Sequence, residues 1–348
     1  MSDYEVSTAA LEPTRAFVER EGIQPGMNTL LLVHRALERG VQVSGGSEGR
    51  ADLAFGGRTG WFRSGNSNLN SLLAKRTVNN KAALSRVLRT HGVRAPENQV
   101  FTEGEARRAW SWAESIAPVV VKPAQGKLGR LVHVDIGDFE EFQRAFGAVT
   151  EAEGSALVEQ YVTGMDHRVT VVNGTVAGAT RRLAANVVGD GISTVADLVT
   201  AKNAERSARD NPVHKKIRLG EVERSHLAHQ GINTESIPPA GARVSLRGAA
   251  NVSTGGDALD ASDDLRLHEI TYIEDAIREI PGLRVCGFDV LLDRTTENRD
   301  TGADPWILEI NASPVISPHY FPWQGRPRDV MSNILEAMFP ALRTEAVA

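Results

Sequence analysis

The chain has 348 residues, 41% hydrophobic and 24% charged, with a formal net charge of −5. That suits a soluble globular protein of two or three subdomains, and the absence of any basic block or basic-aromatic interleaving argues against a general nucleic-acid binder. The single cysteine, Cys286, sits in an apolar strand-like run without a partner for an intrachain disulfide, and MSDYEVSTAALEPTR lacks the basic start and apolar core of a secretory signal, so the expectation is an intracellular, cytoplasmic protein with no membrane role.

Residues 1 to 22 are polar and weakly patterned, a short arm or an incomplete helix. GMNTLLLVHRALERGVQV predicts a helix that opens near Asn28 or Thr29, carries Leu31 and Leu37 on an apolar face, ends at Gly40 and leads into a strand, together one α/β unit. Asn79 and Asn80 precede a second helix, Lys81 to about Thr90, stopped by His91 and Gly92 and followed by the extended VRAPENQVF. PVVVKPAQGKLGRLVHV alternates a β-branched run, a glycine-bearing turn and a second β-branched run, which predicts a hairpin. A helix over 137–150 and the strand ALVEQYV follow; then HRVTVVNGTVAGATRRL reads as two strands joined at Asn173-Gly174, the strongest hairpin cue in the chain. Residues 200–240 are charged and irregular, a helical insert or lid, and the spacing of His214, His226 and His229 makes no metal motif, so these read as solvated loop histidines.

Near the end, RVCGFDVLLD and PWILEINASP read as neighbouring strands that carry Asp289, Glu309 and Asn311. Strand side chains repeat every two residues, so Glu309 and Asn311 share a face, and the three offer hard oxygen ligands to a divalent cation delivered with a nucleotide. The plainer alternative makes Asp289 a turn residue and Glu309 a solvated strand residue. Upstream, Lys122 ends a strand, and Gly126, Lys127, Gly129 and Arg130 occupy the turn after it, where backbone N–H groups unblocked by Cβ atoms can approach a polyphosphate. This is not a Walker loop, because it lacks the G-x-x-x-x-G-K-[ST] pattern and leads to a strand instead of a helix. A two-glycine turn between strands is also common for purely structural reasons. Lys81 opens a helix, and Glu159, Gln160, Tyr161 and Val162 form a strand edge suited to reading adenine.

In this order and approximate spacing, Lys81, Lys122, the glycine turn, Glu159 to Val162 and Asp289 with Glu309 and Asn311 resemble the ATP-grasp superfamily. PVVVKPAQGKLGRLV, VEQYVTGMDHRVTVVNG, RRLAANVVGDGISTVADLV, PPAGARVSLRGAANVSTGG and EINASP resemble the ATP-grasp domain shared by cyanophycin synthetases and bifunctional glutathione synthases, and SPHYFPWQGRPRDV is closer to the latter. The similarity runs from about Gly26 to Pro340. It implies an α+β ATP-grasp fold, two α+β subdomains clamping ATP, behind an N-terminal α/β segment. The expected division is residues 1–75 for that segment and 76–348 for the ATP-grasp domain, with a central subdomain about 115–163 and a C-terminal one about 164–340 that holds the 200–240 insert.

The implied activity is transfer of the γ-phosphate of ATP to a carboxylate, followed by attack of an amine on the acyl phosphate. Lys81, Lys122 and the Gly126, Lys127, Gly129 turn would meet phosphates; Glu159, Gln160, Tyr161 and Val162 would meet adenine, with Asp166 nearby; and Asp289, Glu309 and Asn311 would hold one or two Mg²⁺, with Mn²⁺ as a substitute. Arg247 and Asn251 match residues set against the transferred phosphoryl group, Ser253 to Gly256 look like a turn near the bound carboxylate, and Arg182, or its neighbour Arg181, would pair with a substrate carboxylate. His319 and Trp323 read equally as pocket walls or as core. The chain carries no glutamate–cysteine ligase region and no muramyl-ligase-like half, so the resemblance implies a stand-alone ligase acting on small amino-acid or peptide substrates, glutamyl or aspartyl by preference, with a homodimer the default assembly. ASPVISPH lacks the glycine common at that place, which leaves the amine side open. Two other readings stay open: a ligase that modifies a protein terminus or side chain, and a non-catalytic ATP-binding regulator.

Overall fold

A computed structural model describes residues 3–124, 131–294 and 303–345. The chain folds as two compact units, one of Met1–Asn68, Ala177–Asp264 and Val315–Ala348, the other of Leu69–Val176 and Leu265–Pro314. Among the described residues no helix is long and apolar enough to cross a membrane.

In the second unit a four-stranded antiparallel sheet runs in the order Asn98–Thr102, Ser155–Gln160, Val119–Pro123, His133–Ile136. The β-branched run Val119 to Val121 is buried throughout, and Val119 and Val121 pack with Phe142, Phe146 and Val149 of the helix Phe139–Glu153. These residues recur at helical spacing and so line one stripe. The Asp138 side chain caps the helix by accepting from the Glu141 N–H at 2.9 Å, and Gly154, at φ 73°, ends it in the left-handed region that glycine enters without strain. The helix Lys81–Thr90 matches its sequence bounds, with Asn80 Oδ1 accepting from the Ala83 N–H at 3.0 Å.

The same unit holds a three-strand antiparallel ladder in which Val285–Leu292 lies between Met165–Val172 and Trp306–Asn311. Asp289 faces Arg168 on one side and Glu309 on the other, while Gly287 faces Thr170 and Asn311. A bulge follows: Val290 pairs with Ile307, so Leu308 is the extra residue, and the alternation is reset just beside Glu309. Asn70 pins the ends of these strands. Its amide nitrogen donates to the carbonyls of Val285 (2.6 Å) and Ala312 (2.9 Å), and its oxygen accepts from the N–H groups of Arg284 (2.7 Å) and Val285 (2.8 Å), so a buried amide has its full complement of four bonds to backbone. Gly287 contributes through the space it leaves. A Cβ there would meet Arg168 Cδ at 2.8 Å and Pro314 Cβ at 3.1 Å, so only glycine lets the arginine stem lie across the sheet.

In the first unit the helix Met27–Glu38 buries Leu30, Leu31, Leu32 and Val33, and the strands Gln42–Gly45, Ala51–Phe55, Arg58–Arg63 and Asn66–Ser67 form an antiparallel meander. Of the two readings of the N-terminus, an arm or an incomplete helix, the structure has a helix, the amphipathic Glu12–Arg20, preceded by a short 3-10 turn; Leu11, Thr14 and Val18 give it a buried stripe that three positions in a polar sequence did not advertise. Asn173 and Gly174 both have positive φ, 51° and 84°, as a two-residue hairpin turn requires. In the part of the strand Thr175–Leu183 that belongs to the first unit, Arg181 pairs with Leu259 and Arg182 with Ala258. A second core gathers Val187, Val195, Val199, Leu227, Val244 and Leu246 under the helices Val195–Ala208 and Glu221–His229.

His214 corrects the sequence reading. It is buried, not solvated: its Nε2 accepts from the Ala258 N–H at 3.0 Å, which leaves Nδ1 to donate to Asn211 Oδ1 at 3.0 Å. Burial, assisted by the charges of Arg206, Lys202 and Arg209 against the opposing pull of Asp257, brings its pKa down to about 4. His226 is half-buried and also titrates below its ordinary value, chiefly through burial, while His229 is exposed as expected.

Two substitutions check this architecture. Asn70→Ala should cost about 3 kcal/mol or more in urea unfolding, because four backbone groups at two strand ends lose their partner. Gly287→Ala should cost about 1–3 kcal/mol, since Arg168 must move off the sheet; an unchanged unfolding midpoint would show that the arginine does not need that seat.

Candidate functional site

The second unit concentrates charge on one face of its ladder. Arg168, Asp289 and Glu309 occupy one rung across three strands, and Asp166 and Asn311 lie on the same face two residues along their own strands. Arg168 Nε donates to Asp289 Oδ1, and Lys81 Nζ donates to Glu309 Oε2. Lys81 is the first residue of its helix, where a cation is disfavoured by the exposed N–H groups and needs a neighbouring anion. Glu309 supplies it. The donor set for a divalent cation is thus two carboxylates and an amide, all half-buried at one surface. Among the described residues no three His, Cys, Asp or Glu side chains form a closed cage. Hard oxygens in small number fit Mg²⁺, which keeps much of its coordination for water and phosphate.

Lys122, half-buried, and Glu159, buried, form a second pair. Lys122 Nζ donates to Glu159 Oε1 from the neighbouring strand, and Asn98 Nδ2 reaches Glu159 Oε2 at 3.3 Å. Glu159 is only 5% exposed, so its side chain orients the lysine from beneath. Past it, the Gln160 N–H is bonded to the Glu97 carbonyl and the Tyr161 N–H to the Pro118 carbonyl, and the strand stops at Gln160, leaving Tyr161 and Val162 half-buried in irregular chain. Gly126, Lys127 and Gly129, with Arg130, lie outside the described residues.

Three other sequence-predicted residues fall in the first unit. Arg247 Nε donates to Glu223 Oε1 at 2.5 Å, and the other oxygen of that buried carboxylate accepts from the Gly220 N–H at 2.9 Å, so one glutamate both starts a helix and aims an arginine. Asn251 Oδ1 accepts from the Ser253 N–H (3.0 Å) and hydroxyl (2.9 Å), shaping the turn Val252–Thr254. Gly255 closes it at φ 98°, and a Cβ on Gly256 would meet the Leu183 carbonyl oxygen at 2.6 Å. Arg182 sits half-buried on the face of its strand opposite Leu183. Of the two residues left between pocket and core, His319 is buried, while Trp323, also buried, lines a cavity.

Sequence reasoning missed Arg168. Its position four residues after Gly164 carries no motif of its own, and the only hint was the glycine at 287, whose need for space appears once the two strands are in register.

No protein-family model matches the chain. It is 34% identical over 264 residues to cyanophycin synthetase of Trichormus variabilis, covering 75% of this chain and 29% of that protein. It is 29% identical over 326 residues to the glutathione biosynthesis bifunctional protein GshAB of Mannheimia succiniciproducens, covering 91% of this chain and 43% of the relative. Its fold is similar to the crystal structure of a bifunctional glutathione synthetase from Pasteurella multocida, with a TM-score of 0.68 at 26% identity over 92% of this chain and 45% of that one. The chain therefore spans less than half the length of each of these proteins. With antiparallel sheets and packed helices in both units, it has the α+β ATP-grasp fold and belongs to the ATP-grasp superfamily of carboxylate–amine ligases.

Proposed function

We propose that this chain joins a carboxylate to an amine at the expense of ATP, through an acyl phosphate, with release of ADP and phosphate. The observation that carries the reading is the rung of Arg168, Asp289 and Glu309, with Asn311 on its face and Lys81 reaching Glu309 from a helix N-terminus. Cations and hard oxygen ligands interleaved at one surface suit a polyphosphate that arrives with its own divalent ion. Likeness to enzymes named for glutathione and cyanophycin synthesis supports an amino-acid-derived carboxylate, glutamyl or aspartyl by preference.

In this reading Lys81 and Lys122 bind phosphate oxygens. Each is held beforehand by a carboxylate, so the incoming polyphosphate exchanges one anion for another around an oriented ammonium and need not order a free side chain. Asp289, Glu309 and Asn311 would hold one or two Mg²⁺, or Mn²⁺ in its place, whose charge offsets that of the β and γ phosphates when bound. Glu159 to Val162 would border adenine, with Asp166 as a further polar contact. Arg247 and Asn251 are assigned to the transferred phosphoryl group, and Arg182 to a substrate carboxylate.

A carboxylate oxygen of the substrate attacks the γ-phosphorus while the bond to the β–γ bridging oxygen breaks, and ADP leaves with that oxygen. The amine nitrogen then attacks the acyl carbon and loses a proton, and inorganic phosphate departs. Positioning and neutralisation of charge supply most of the acceleration in phosphoryl transfer.

Purified protein with ATP, Mg²⁺ and pooled amino acids should release phosphate and ADP; stoichiometric AMP would sink the reading. Glu309→Gln should lower that turnover by a factor on the order of 10² or more with the far-ultraviolet dichroism unchanged, because an anionic ligand becomes a neutral amide while volume is kept. Hydroxylamine in place of the amine should trap the acyl phosphate as a hydroxamate. Arg247→Lys retains a charge for buried Glu223 yet loses the planar fork, so it should fold normally and form hydroxamate about 10-fold more slowly or worse. Wild-type trapping by this variant would remove Arg247 from the reacting centre.

A further inference from the structure

The first unit contains a cavity of about 300 Å³, and none of Arg182, Arg247 and Asn251 lines it. It opens beside the short strand pair Asn186–Val188 and Arg243–Ser245, along the helix Val195–Ala208, with the Trp323 side as a wall. Its volume lies at the lower end of the range for ligand pockets, which fits a molecule of amino-acid size.

Charge around this cavity is unbalanced. Asp257, 2% exposed, is shared by two cations: Arg206 Nη2 donates to Oδ1, and Lys202 Nζ donates to Oδ2 at 2.6 Å. Arg206 is itself buried, and its guanidinium carbon lies 5.4 Å from the Trp323 ring centre. Burial first, then the neighbouring charges of Arg206 and Arg243, draws the Lys202 ammonium below its ordinary pKa against the pull of Asp257. One carboxylate therefore serves two cations before Arg243 is considered.

Arg243 is anchored but not saturated. Its Nη1 donates to Asn186 Oδ1 at 2.6 Å, and among the described residues Nε and Nη2 have no hydrogen-bond partner. Those two nitrogens form the side-on edge of the guanidinium, the edge whose spacing matches the two oxygens of a carboxylate. Asn186 is fixed in turn by its own donation to the Ala184 carbonyl (2.7 Å) and to Asp257 Oδ2 (3.0 Å), so the arginine is aimed by a buried residue. Across the lining, Glu205 gives Oε1 to Arg209 and has no described partner at Oε2, which can accept from an ammonium.

We infer that this cavity is a binding site for a free acidic α-amino acid, with one carboxylate on the Nε and Nη2 edge of Arg243, the ammonium at Glu205, and the second carboxylate drawn by the excess positive charge about Lys202. A zwitterion without an acidic side chain would leave that excess unmatched. The inference does not rest on the ligase reading, since it concerns residues outside the proposed phosphoryl-transfer set and is read by binding without nucleotide.

The test is titration calorimetry of the whole chain, without ATP or metal, using L-aspartate, L-glutamate and their amides L-asparagine and L-glutamine. One of the two acids should bind at least about 10-fold more tightly than its amide, and Arg243→Gln should weaken it on the order of 10-fold or more, as expected for a lost charged hydrogen-bond pair. Arg243→Lys should fall between, because it keeps charge without the two-donor edge. Glu205→Gln should weaken the amino acid while leaving succinate or glutarate, which lack the ammonium, unchanged. The inference is overturned if neither acid binds at millimolar concentration, if acid and amide bind alike, or if both Arg243 variants keep wild-type affinity with an unchanged melting temperature.

Discussion

Two carboxylates directly opposite each other on neighbouring strands repel, and Asp289 and Glu309 are such a pair. The second unit tolerates them because each is met by a cation from a different direction, Arg168 along the sheet and Lys81 from a helix end. Those cations depend in turn on features with no charge of their own. Arg168 lies flat only because residue 287 is glycine, and Lys81 is placed by the Asn80 cap. The two ends of the acidic strands are joined through one amide, Asn70. A surface built this way is stable with its charges paired internally, and under the proposed function its anions would become available to a metal when its cations find phosphate.

Much of this was legible in the sequence, and what was legible is local. Lys81 to Thr90, the strand pair flanking the 124–132 region and the Asn173-Gly174 turn each announce themselves within about ten residues, through caps, β-branched runs and residues that accept positive φ. Glu309 and Asn311 share a face for the equally local reason that strands repeat every two residues. Arg168 was not legible, because its partner is 121 residues away and its meaning lies in the register between strands. The bulge at Leu308 was hidden for the same reason.

His214 shows the opposite error, a local signal that misled. A histidine between lysines and arginines reads as solvated, yet long cationic side chains cover apolar ground with their stems, and here they roof a core. Arg206 is 4% exposed and Trp323 7%, with the guanidinium of Arg209 4.0 Å from the indole ring centre. The charge run in 200–216 is therefore partly interior. Composition recorded its polarity but not the carboxylate of Asp257, some fifty residues on, that lets it be buried.

The two units handle buried charge in different ways. In the second, Lys81, Lys122 and Arg168 are matched one to one by Glu309, Glu159 and Asp289, and Asp166 adds a further acid to the ladder face, so under the proposed function a polyphosphate would meet cations already oriented and its divalent ion would meet the acids. In the first, Asp257 answers two cations and leaves Arg243 with an amide instead of an acid. Arg243 is exposed, so water meets its remaining donors in the empty site, while Lys202 and Arg206 beside the indole keep Asp257. In the two readings proposed here, paired cations and acids at one face suit a phosphate chain that brings its metal, whereas a guanidinium edge left without an acid suits a small carboxylate, so local charge pairing separates the two without any appeal to shape.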